Sequence, residues 1–246
     1  MGGFETLIYK KKDRIAWVTI NRPKAMNAYN IQMRDELFQI LEAIKDDPGV
    51  GVVVFKGAGD KAFCAGADLS EFLSAPPPIA ARQVRWKRDV WGLFLSIPQP
   101  LIAALHGYVL GSGIEIALCC DIRIATKGAR FGLPEVALGM IPAAGGTQTL
   151  PRAVGKAKAL EMLLTDEWID GEEAFRIGLV NRVVPEDKLV HAAGALARKI
   201  VEQDPLAVRY AKQAVVRGMD VRLSEGLHLE KSLATHLAAH KEYRKG

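Results

Sequence analysis

The sequence predicts an α/β fold in which helices alternate with buried strands. From Asn30, a candidate N-cap, apolar residues recur at helical spacing as far as Asp47-Pro48. The uninterrupted apolar run Val50 to Lys56 follows, and such a run is typical of a strand buried on both faces. A Gly-Ala-Gly-Asp turn then ends it. This succession of helix, strand and turn is typical of α/β crossover units.

The remaining elements follow from similar local signals. Two β-type runs within residues 4–20, separated by the polar Lys11–Arg14 turn, predict an opening hairpin. Asp68 with Glu71 has the spacing of a capping box, which predicts a helix from Leu69 that ends before the three prolines at 76–78. Asp170 with Glu173 repeats that spacing. The other predicted helices are 80–97, one carrying Glu115, 186–203, 205–217 and 223–241, and the other strands are 101–105, 121–125 and 180–184.

Length and composition favour one core with a C-terminal extension. The 246 residues are 49% apolar without a break in composition, so we expect an α/β core over 1–185 and a helical region over 186–246. No run reaches the roughly 18 uninterrupted apolar residues of a membrane span. The N-terminus lacks a signal-peptide pattern, and Met1 to Thr6, although near a myristoylation pattern, is interpreted as an ordinary start. We therefore expect a cytoplasmic protein without membrane contact.

Cysteine, histidine and charge exclude several classes of site. Cys64, Cys119 and Cys120 lack metal-ligand spacing and indicate a reducing compartment without a disulfide framework. The five histidines are scattered, so no metal site is expected. The net charge of +5 suits an anionic ligand without requiring one. The basic runs Lys10–Lys12 and Arg82–Arg88 are interpreted as solvated surface, with nucleic-acid binding as the less favoured alternative.

The stretch from Leu101 to Cys120 carries the clearest functional signal. It predicts a short buried strand, a Gly-Ser-Gly turn and an apolar helix that holds Glu115 in its first turns. An unpaired carboxylate among apolar residues costs several kcal/mol or takes up a proton, so packing alone does not explain Glu115. Gly111 and Gly113 expose backbone where a new helix presents unpaired N–H groups and the positive end of its dipole. Carboxylate and anion site together indicate chemistry at a carbonyl whose oxygen gains negative charge.

The same turn also has a nicotinamide-dependent interpretation. Gly111 to Ala117 is similar to a dinucleotide-binding turn, and Glu135 lies about 20 residues later, where that fingerprint requires an acidic residue. However, the turn lies in the middle of the chain, and Pro134 precedes the acid. We therefore treat this match as the weaker alternative.

Five segments resemble, in order, the signatures of the crotonase (enoyl-CoA hydratase/isomerase) superfamily. They are NRPKAMNAYN, KAFCAGADLSEF, HGYVLGSGIEIALCCDIRIAT, RFGLPEVALGMIPAAGGTQTLPRAVG and DGEEAFRIGLVNRVV. The resemblance implies a crotonase-like spiral of ββα units with a C-terminal helical trimerisation region, and a homotrimer or dimer of trimers. It also implies an acyl-CoA thioester substrate, of which CoA is a part, and no separate cofactor.

The resemblance also implies a site. The thioester oxygen would bind the backbone N–H groups of Ala67 and Ser112, which form an oxyanion hole. Glu115 would orient and deprotonate water for attack at Cβ, and Glu135 would protonate Cα. Two carboxylates that share one water should titrate together, with one pKa raised. The further positions expected to contact substrate or CoA are Lys24, Ala25, Ala65, Gly66, Asp68, Leu69, Gly111 and Ala143, with Arg22 and Lys61 as phosphate neighbours.

Retention of both glutamates makes reversible hydration of a 2-enoyl-CoA the favoured reaction. The alternatives within the family are Δ3-Δ2 isomerisation, acyl-CoA hydrolysis, and hydration of a cyclic or branched enoyl-CoA. An RNA-binding homologue is the alternative from another class. No pattern in the sequence predicts the acyl-chain preference or distinguishes a trimer from a hexamer.

Overall fold

A computed structural model describes residues 3–72 and 88–243, which form two sheets surrounded by helices. The strands are β1 Leu7–Lys12, β2 Ile15–Ile20, β3 Val52–Gly57, β4 Ala62–Cys64, β5 Leu101–Leu105, β6 Tyr108–Leu110, β7 Ile122–Thr126, β8 Arg130–Gly132, β9 Ile169–Asp170 and β10 Arg182–Val184. The α-helices are α1 Ile31–Asp46, α2 Leu69–Phe72, α3 Val90–Ser96, α4 Ser112–Cys119, α5 Gly146–Val154, α6 Lys156–Thr165, α7 Gly171–Arg176, α8 Leu189–Val201, α9 Pro205–Gly218 and α10 Leu223–Tyr243.

The chain winds as a spiral that adds one strand to each sheet per turn. The larger sheet has the order β1-β2-β3-β5-β7-β10, and the smaller has the order β4-β6-β8-β9. Consecutive strands β3 and β4, β5 and β6, and β7 and β8 therefore go to different sheets, and helices follow the second strand of each pair. The predicted α/β architecture of ββα units is confirmed.

The predicted hairpin and first helix are also confirmed. β1 and β2 pair antiparallel, and the turn between them places Asp13 and Arg14 at positive φ. The side chain of Asn30 accepts a hydrogen bond of 2.9 Å from the amide of Met33 and so caps α1. The apolar face predicted from spacing is the one that lies in the core.

The main core lies between the two sheets and α1, α3 and α4. Four phenylalanines are its largest fully buried side chains: Phe55, Phe63, Phe94 and Phe131. A second apolar cluster joins the outer face of the larger sheet to α8. Burial of both faces of β3 and β5 explains why these strands appear as continuous apolar runs in the sequence.

Two local predictions were incomplete. Asp68 does not form a capping box with Glu71, because the Asp68 amide donates to Tyr29 O and Glu71 instead accepts a 2.8 Å bond from the amide of Ile31, at the start of α1. Asp170 caps α7 as predicted, through the amide of Glu173, but the Glu173 carboxylate pairs with Arg176. Of these carboxylates, Glu71 thus serves another helix, whereas Glu173 pairs within its own helix.

The region after β5 also differs in detail. The sequence does not predict β6 as a separate strand, because its three residues directly precede the Gly-Ser-Gly turn and form too short a run for a local signal. Of the predicted helix 80–97, α3 accounts for Val90–Ser96. The Pro76–Pro78 loop, Trp86 and the basic residues at 82, 85 and 87 lie outside the described residues. Arg88 is described and pairs with Asp35 on α1.

The three predicted C-terminal helices are present as α8, α9 and α10. α8 packs on the larger sheet, whereas α9 and α10 pair with each other, with Gly218 and Gly226 at the point of close approach. Lys212 on α9 anchors the pair to the core, because its ammonium group donates to Gln99 O and Asp121. The division at residue 185 stays a prediction. Among the described residues, no helix combines the length and apolar character needed to cross a membrane.

Candidate active site

Three turns meet at one edge of the smaller sheet. β4, β6 and β8 are parallel neighbours, so their carboxyl ends lie side by side. The turn Ala65-Gly66-Ala67 follows β4, the turn beginning at Gly111 follows β6, and Leu133-Pro134-Glu135 follows β8. The sheet topology therefore brings together segments that are about 45 and 70 residues apart in the chain.

Two glycines allow the first two turns to touch. Gly66 and Gly111 both have positive φ, at 101° and 49°. A Cβ atom on Gly111 would lie 3.5 Å from Gly66 Cα, and one on Gly66 would lie 3.3 Å from Leu110 O. Because the left-handed region favours glycine, both positions serve the turn and the close approach together. Ala67 and Ser112 are the next residues after these glycines.

The amide of Ala67 points away from its neighbouring chain segment. Tyr29 and Ala67 form a parallel bridge in which Tyr29 bonds to Gly66 O and to the amide of Asp68, each at 2.8 Å. In such a bridge the N–H of the central residue faces the opposite side. Within 3–72 and 88–243, no acceptor contacts the Ala67 amide.

The amide of Ser112 is the first of helix α4. Gly111 is the N-cap, so the N–H of Ser112 is among the four donors that a helix leaves without an intrahelical partner. The described part of the chain supplies no other acceptor for it. α4 also approaches β4 closely, since a Cβ atom on Gly113 would lie 2.2 Å from Cys64 O. The structure therefore holds two donor amides, of Ala67 and Ser112, on adjacent turns.

Glu115 lies one turn further along α4 and is only 2% exposed. Its Oε1 accepts hydrogen bonds of 2.9 Å from the amides of Ala144 and Gly146. A Cβ atom on Gly146 would lie 3.0 Å from Oε1 and 2.9 Å from Pro142 Cβ, so a larger residue would displace these groups. An ionised carboxylate only accepts hydrogen bonds, so the two amide donors hold the Glu115 side chain in one orientation.

Glu135 lies directly against Gly111. A Cβ atom on Gly111 would be 2.8 Å from Glu135 Oε1. Oε2 is buried and has no hydrogen-bond partner in the described ranges. Burial raises the pKa of Glu135 to about 7; a hydrogen bond with its own amide opposes the rise, and the charges of Glu115 and then Asp166 add to it. This agrees with the expectation that one of the two pKa values is raised.

Both glutamates contact Gly111, and the charge of Glu115 contributes to the raised pKa of Glu135, so the two acids lie near each other. The amide of Glu115 donates to Gly111 O at 3.1 Å, while the Glu135 carboxyl contacts the same glycine. A carbonyl oxygen at the two donor amides would place the atoms next to it near both acids. Such a site can stabilise an oxyanion and transfer protons at adjacent atoms.

The other residues predicted to bind substrate have varied surroundings. Ala65 and Gly66 form the turn before Ala67, and Leu69 is half exposed at the start of α2. Lys24 and Ala25 lie in the short 3-10 helix Pro23–Ala25, which borders a surface cavity of about 450 Å³. Ala143 is exposed, beside the amides that bind Glu115. Their contacts with CoA stay predictions.

Two predicted ligand side chains are occupied by protein partners. The Asp68 carboxylate pairs with Arg22 at 2.9 Å and accepts a 2.6 Å bond from the Ser70 hydroxyl. Arg22, expected near a phosphate, also donates to Ala28 O at 2.6 Å. Both side chains therefore have structural partners in the absence of substrate.

Sequence reasoning missed the residues that hold Glu115. Ala144 and Gly146 donate main-chain bonds across 29 and 31 residues, and backbone donors leave no signal in residue type. Local pattern at Gly145 and Gly146 indicates only a turn into the next helix. The one signal in the sequence is the second glycine of the pair, which a helix start does not require. In the structure only Gly145 has positive φ, so Gly146 serves the contact with Glu115 instead.

The described residues contain no group of three or more His, Cys, Asp or Glu side chains that could hold a metal ion. Cys64, Cys119 and Cys120 are buried free thiols. Burial raises the pKa of Cys64 to about 11 and that of Cys119 to about 12, so both are neutral near pH 7.

The chain is similar to known proteins over nearly its whole length. The model of the family described as Enoyl-CoA hydratase/isomerase matches residues 10–246. The chain is 42% identical over 228 residues to a crotonyl-CoA hydratase of Syntrophomonas wolfei subsp. wolfei, covering 92% of this chain and 87% of that protein. It is also 42% identical over 240 residues to a 2,3-dehydroadipyl-CoA hydratase of Escherichia coli (strain K12), covering 98% and 93%.

A solved structure of an enoyl-CoA hydratase from Bacillus anthracis superposes with a TM-score of 0.90. That structure is 37% identical to this chain, and the match covers 97% of both chains. The fold inferred from the five sequence segments is therefore confirmed. The family model matches residues 10–246 of the chain, and a solved relative has the same fold. The chain therefore belongs to the enoyl-CoA hydratase/isomerase family.

Proposed function

We propose that this protein is an enoyl-CoA hydratase that adds water reversibly, in the syn sense, across the 2,3 double bond of an enoyl-CoA thioester. The observation that carries the proposal is that Glu115, through its amide, and Glu135, through its carboxyl group, both contact Gly111, next to the donor amides of Ala67 and Ser112. The names of the relatives at 42% identity support the same reaction.

In the proposed reaction the thioester oxygen binds the two amides, which draw electron density from the conjugated alkene. Glu115 takes a proton from water, and the resulting hydroxide forms the new C–O bond at Cβ. The electron pair of the double bond moves to the thioester oxygen as an enolate, which the amides stabilise by about 3–4 kcal/mol each by precedent. Glu135 then donates its proton to Cα and restores the carbonyl.

The environment of each acid suits its proposed role. Two backbone bonds hold the Glu115 carboxylate in one orientation, as a base needs in order to aim at one water. Glu135 has a pKa of about 7, so near neutral pH it can carry the proton that Cα receives. Neither proton transfer nor oxyanion stabilisation requires a metal, flavin or nicotinamide, and we propose that none takes part.

The test of the proposal is hydration of crotonyl-CoA by the purified protein. We expect the absorbance of the conjugated enoyl thioester to fall and a 3-hydroxyacyl-CoA to accumulate. Product identification distinguishes hydration from isomerisation or thioester hydrolysis. Unchanged absorbance with short, medium and branched enoyl-CoA substrates would overturn the hydratase assignment.

The pH dependence follows from the raised pKa of Glu135. Water addition needs the pair to hold one proton, on Glu135 before reaction and on Glu115 after it. Since burial raises the pKa of Glu135 to about 7, this proton is present below that pH and lost above it. We expect kcat/KM for hydration to fall as the pH rises through about 7. Dehydration should fall in the same range, because it uses the same singly protonated pair.

Initial rates of both reactions between pH 5.5 and 9 measure this dependence. The Glu135→Gln variant is the matched control, since its residual activity should lack the limb near pH 7. A wild-type profile that stays flat between pH 6 and 8 contradicts the proposed proton state.

We also propose that the protein assembles as a trimer or dimer of trimers through α9 and α10. Apolar side chains face solvent here: Val215 on α9, Met219 between the two helices at 77% exposure, and Leu223 at the start of α10 at 79% exposure. Such a concentration of exposed apolar residues is typical of an interface. Light scattering should give three or six times the 26.8 kDa chain mass. A monomer at micromolar concentration contradicts this assembly.

We place the protein in the cytoplasm. Three buried free thiols suit a reducing compartment, where no disulfide is required for stability. Fractionation of cells that express the protein tests the location, and recovery in a membrane or secreted fraction contradicts it.

A further inference from the structure

We propose that Arg22 is a positioning residue that holds the Ala67 amide in its donor orientation, an inference that rests on the proposed function. Its guanidinium group contacts two chain segments at once. Nη1 donates to Ala28 O at 2.6 Å, and Nη2 pairs with Asp68 Oδ2 at 2.9 Å. Ala28 precedes Tyr29 and Asp68 follows Ala67, so Arg22 spans the bridge that orients this amide.

The segment that carries Ala67 has no regular sheet to hold it. Residues 65–68 pair with residues 26–29 through three backbone bonds. The Ala65 amide donates to Met26 O, the Tyr29 amide donates to Gly66 O, and the Asp68 amide donates to Tyr29 O. These bonds fix the direction of the Ala67 N–H only while the 26–29 segment itself stays fixed. The orientation of the donor therefore depends on what holds that segment.

Asn27 and Arg22 together hold the 26–29 segment. Met26 and Asn27 both have left-handed backbone, with φ of 47° and 58°. The fully buried Asn27 side chain accepts a bond from the Arg22 amide and donates to Ala58 O, directly after β3, and to Ala62 O, at the start of β4. The Arg22 side chain then pairs with the Asp68 carboxylate. This chain of contacts links the turn before α1 to the residue after the donor amide.

Arg22 also lines the surface cavity beside Lys24, but its contacts within the protein favour the positioning role over binding of CoA. Side-chain exposure is 23% for Arg22 and 16% for Asp68, and an arginine already bonded to a carbonyl and a carboxylate has less capacity for a phosphate. A lysine at position 22 would keep the charge but offers one compact group in place of the planar fork. It cannot reproduce both bonds in the same geometry.

The test measures hydration kinetics, CoA binding and carbonyl polarisation in Arg22→Lys and Asp68→Asn. Asp68→Asn removes the ion pair with Arg22 and leaves the Arg22 bond to Ala28 O. This variant therefore tests the inference if Arg22→Lys does not fold. We expect kcat to fall by about 10- to 100-fold, as for a misplaced oxyanion donor. KM and the Kd of CoA itself, which has no thioester carbonyl, should change less than about twofold, since uniform binding is retained.

Carbonyl polarisation is read from an aromatic enoyl-CoA whose absorbance shifts to the red when its thioester oxygen accepts hydrogen bonds. Wild-type protein should produce the shift, and both variants should produce a smaller shift at saturating ligand. A merely structural loss would lower the bound fraction without changing the spectrum of the bound ligand.

Asp121→Asn is the matched control. Asp121 pairs with Lys212 at 2.7 Å, and the side-chain exposures of 13% for Lys212 and 25% for Asp121 are similar to those of the Arg22 pair. Asp121 lies between α4 and β7, which is a strand of the larger sheet. We expect this variant to lower the unfolding temperature at least as much as Asp68→Asn while keeping kcat and the spectral shift.

Three results overturn the inference: wild-type kcat and spectral shift in both variants, a rise in the Kd of CoA with unchanged kcat, or an equal loss of kcat in Asp121→Asn. Failure of the proposed function is distinguishable from these results. In that case wild-type protein hydrates no enoyl-CoA, whereas failure of this inference alone leaves an active wild type with active Arg22 and Asp68 variants.

Discussion

The Glu115→Gln variant is expected to lose about 10²–10⁴ in kcat for crotonyl-CoA hydration, the range for a general acid–base group. Gln is nearly isosteric with Glu, and its amide oxygen can still accept the bonds that Ala144 and Gly146 donate to Oε1. The orientation of the side chain and the fold should therefore survive. The variant removes the capacity to take a proton from water, and steady-state kinetics with a thermal unfolding scan measure both effects.

Glu36→Gln is the matched control for this substitution. Glu36 is also a buried glutamate, 4% exposed, whose carboxylate accepts backbone bonds from Glu5 and Thr6, but it lies on α1 and pairs with the N-terminal segment. We expect Glu36→Gln to lower stability and leave kcat within a small factor. If Glu115→Gln keeps wild-type kcat, Glu115 is not the base.

The Ser112→Pro variant is expected to lower kcat by about 10²–10³ or more, the measured cost of one oxyanion donor. Ser112 is the first residue of α4, where proline is tolerated because the N–H has no intrahelical partner. The substitution therefore removes the proposed donor without breaking a helical hydrogen bond. The proline ring also occupies space in front of the former amide, which adds to the loss.

Lys156→Pro provides the control, because Lys156 is the first residue of α6, follows a glycine N-cap, and is exposed. It should unfold cooperatively and retain hydration. Ser112→Ala, which keeps the amide and removes only the hydroxyl, should lose far less kcat than Ser112→Pro. Equal losses in Ser112→Ala and Ser112→Pro would assign the effect to the side chain and contradict a main-chain donor.

Local pattern was sufficient to predict most elements. The N-cap at Asn30, the apolar periodicity of α1 and the continuous apolar run of β3 each depend on neighbours within about one helical turn or one strand. The same applies to α9, where Asp204 caps the helix and Pro205 begins it. Signals of this kind are complete within the segment that carries them.

Predictions failed where the partner is distant in the chain. Glu71 has a capping-box position, yet its carboxylate binds the start of α1, 40 residues earlier. Nothing in local spacing distinguishes these two acceptor arrangements. The order of strands in the smaller sheet has the same character, since β4, β6 and β8 become neighbours only after the spiral has formed.

The candidate site shows the same division. Glu115 stood out in the sequence because an acid in an apolar helix needs a reason, and the structure supplies its two amide partners. Glu135 was identified through the resemblance to the family, and its raised pKa depends on burial and on the charge of Glu115, neither of which is written in its own segment. The contacts of Arg22 were not predicted, because surface arginines and clamping arginines look alike in sequence.

In the proposed complex one thioester oxygen binds the amides of Ala67 and Ser112 while both glutamates face the same side of the alkene. A crystal structure with a bound, unreactive enoyl-CoA analogue measures this arrangement. We predict distances of about 2.7–3.1 Å from the thioester oxygen to each amide nitrogen, with the carboxyl groups of Glu115 and Glu135 on one face of the Cα–Cβ bond. An oxygen that contacts neither amide, or carboxyl groups on opposite faces, would contradict this arrangement.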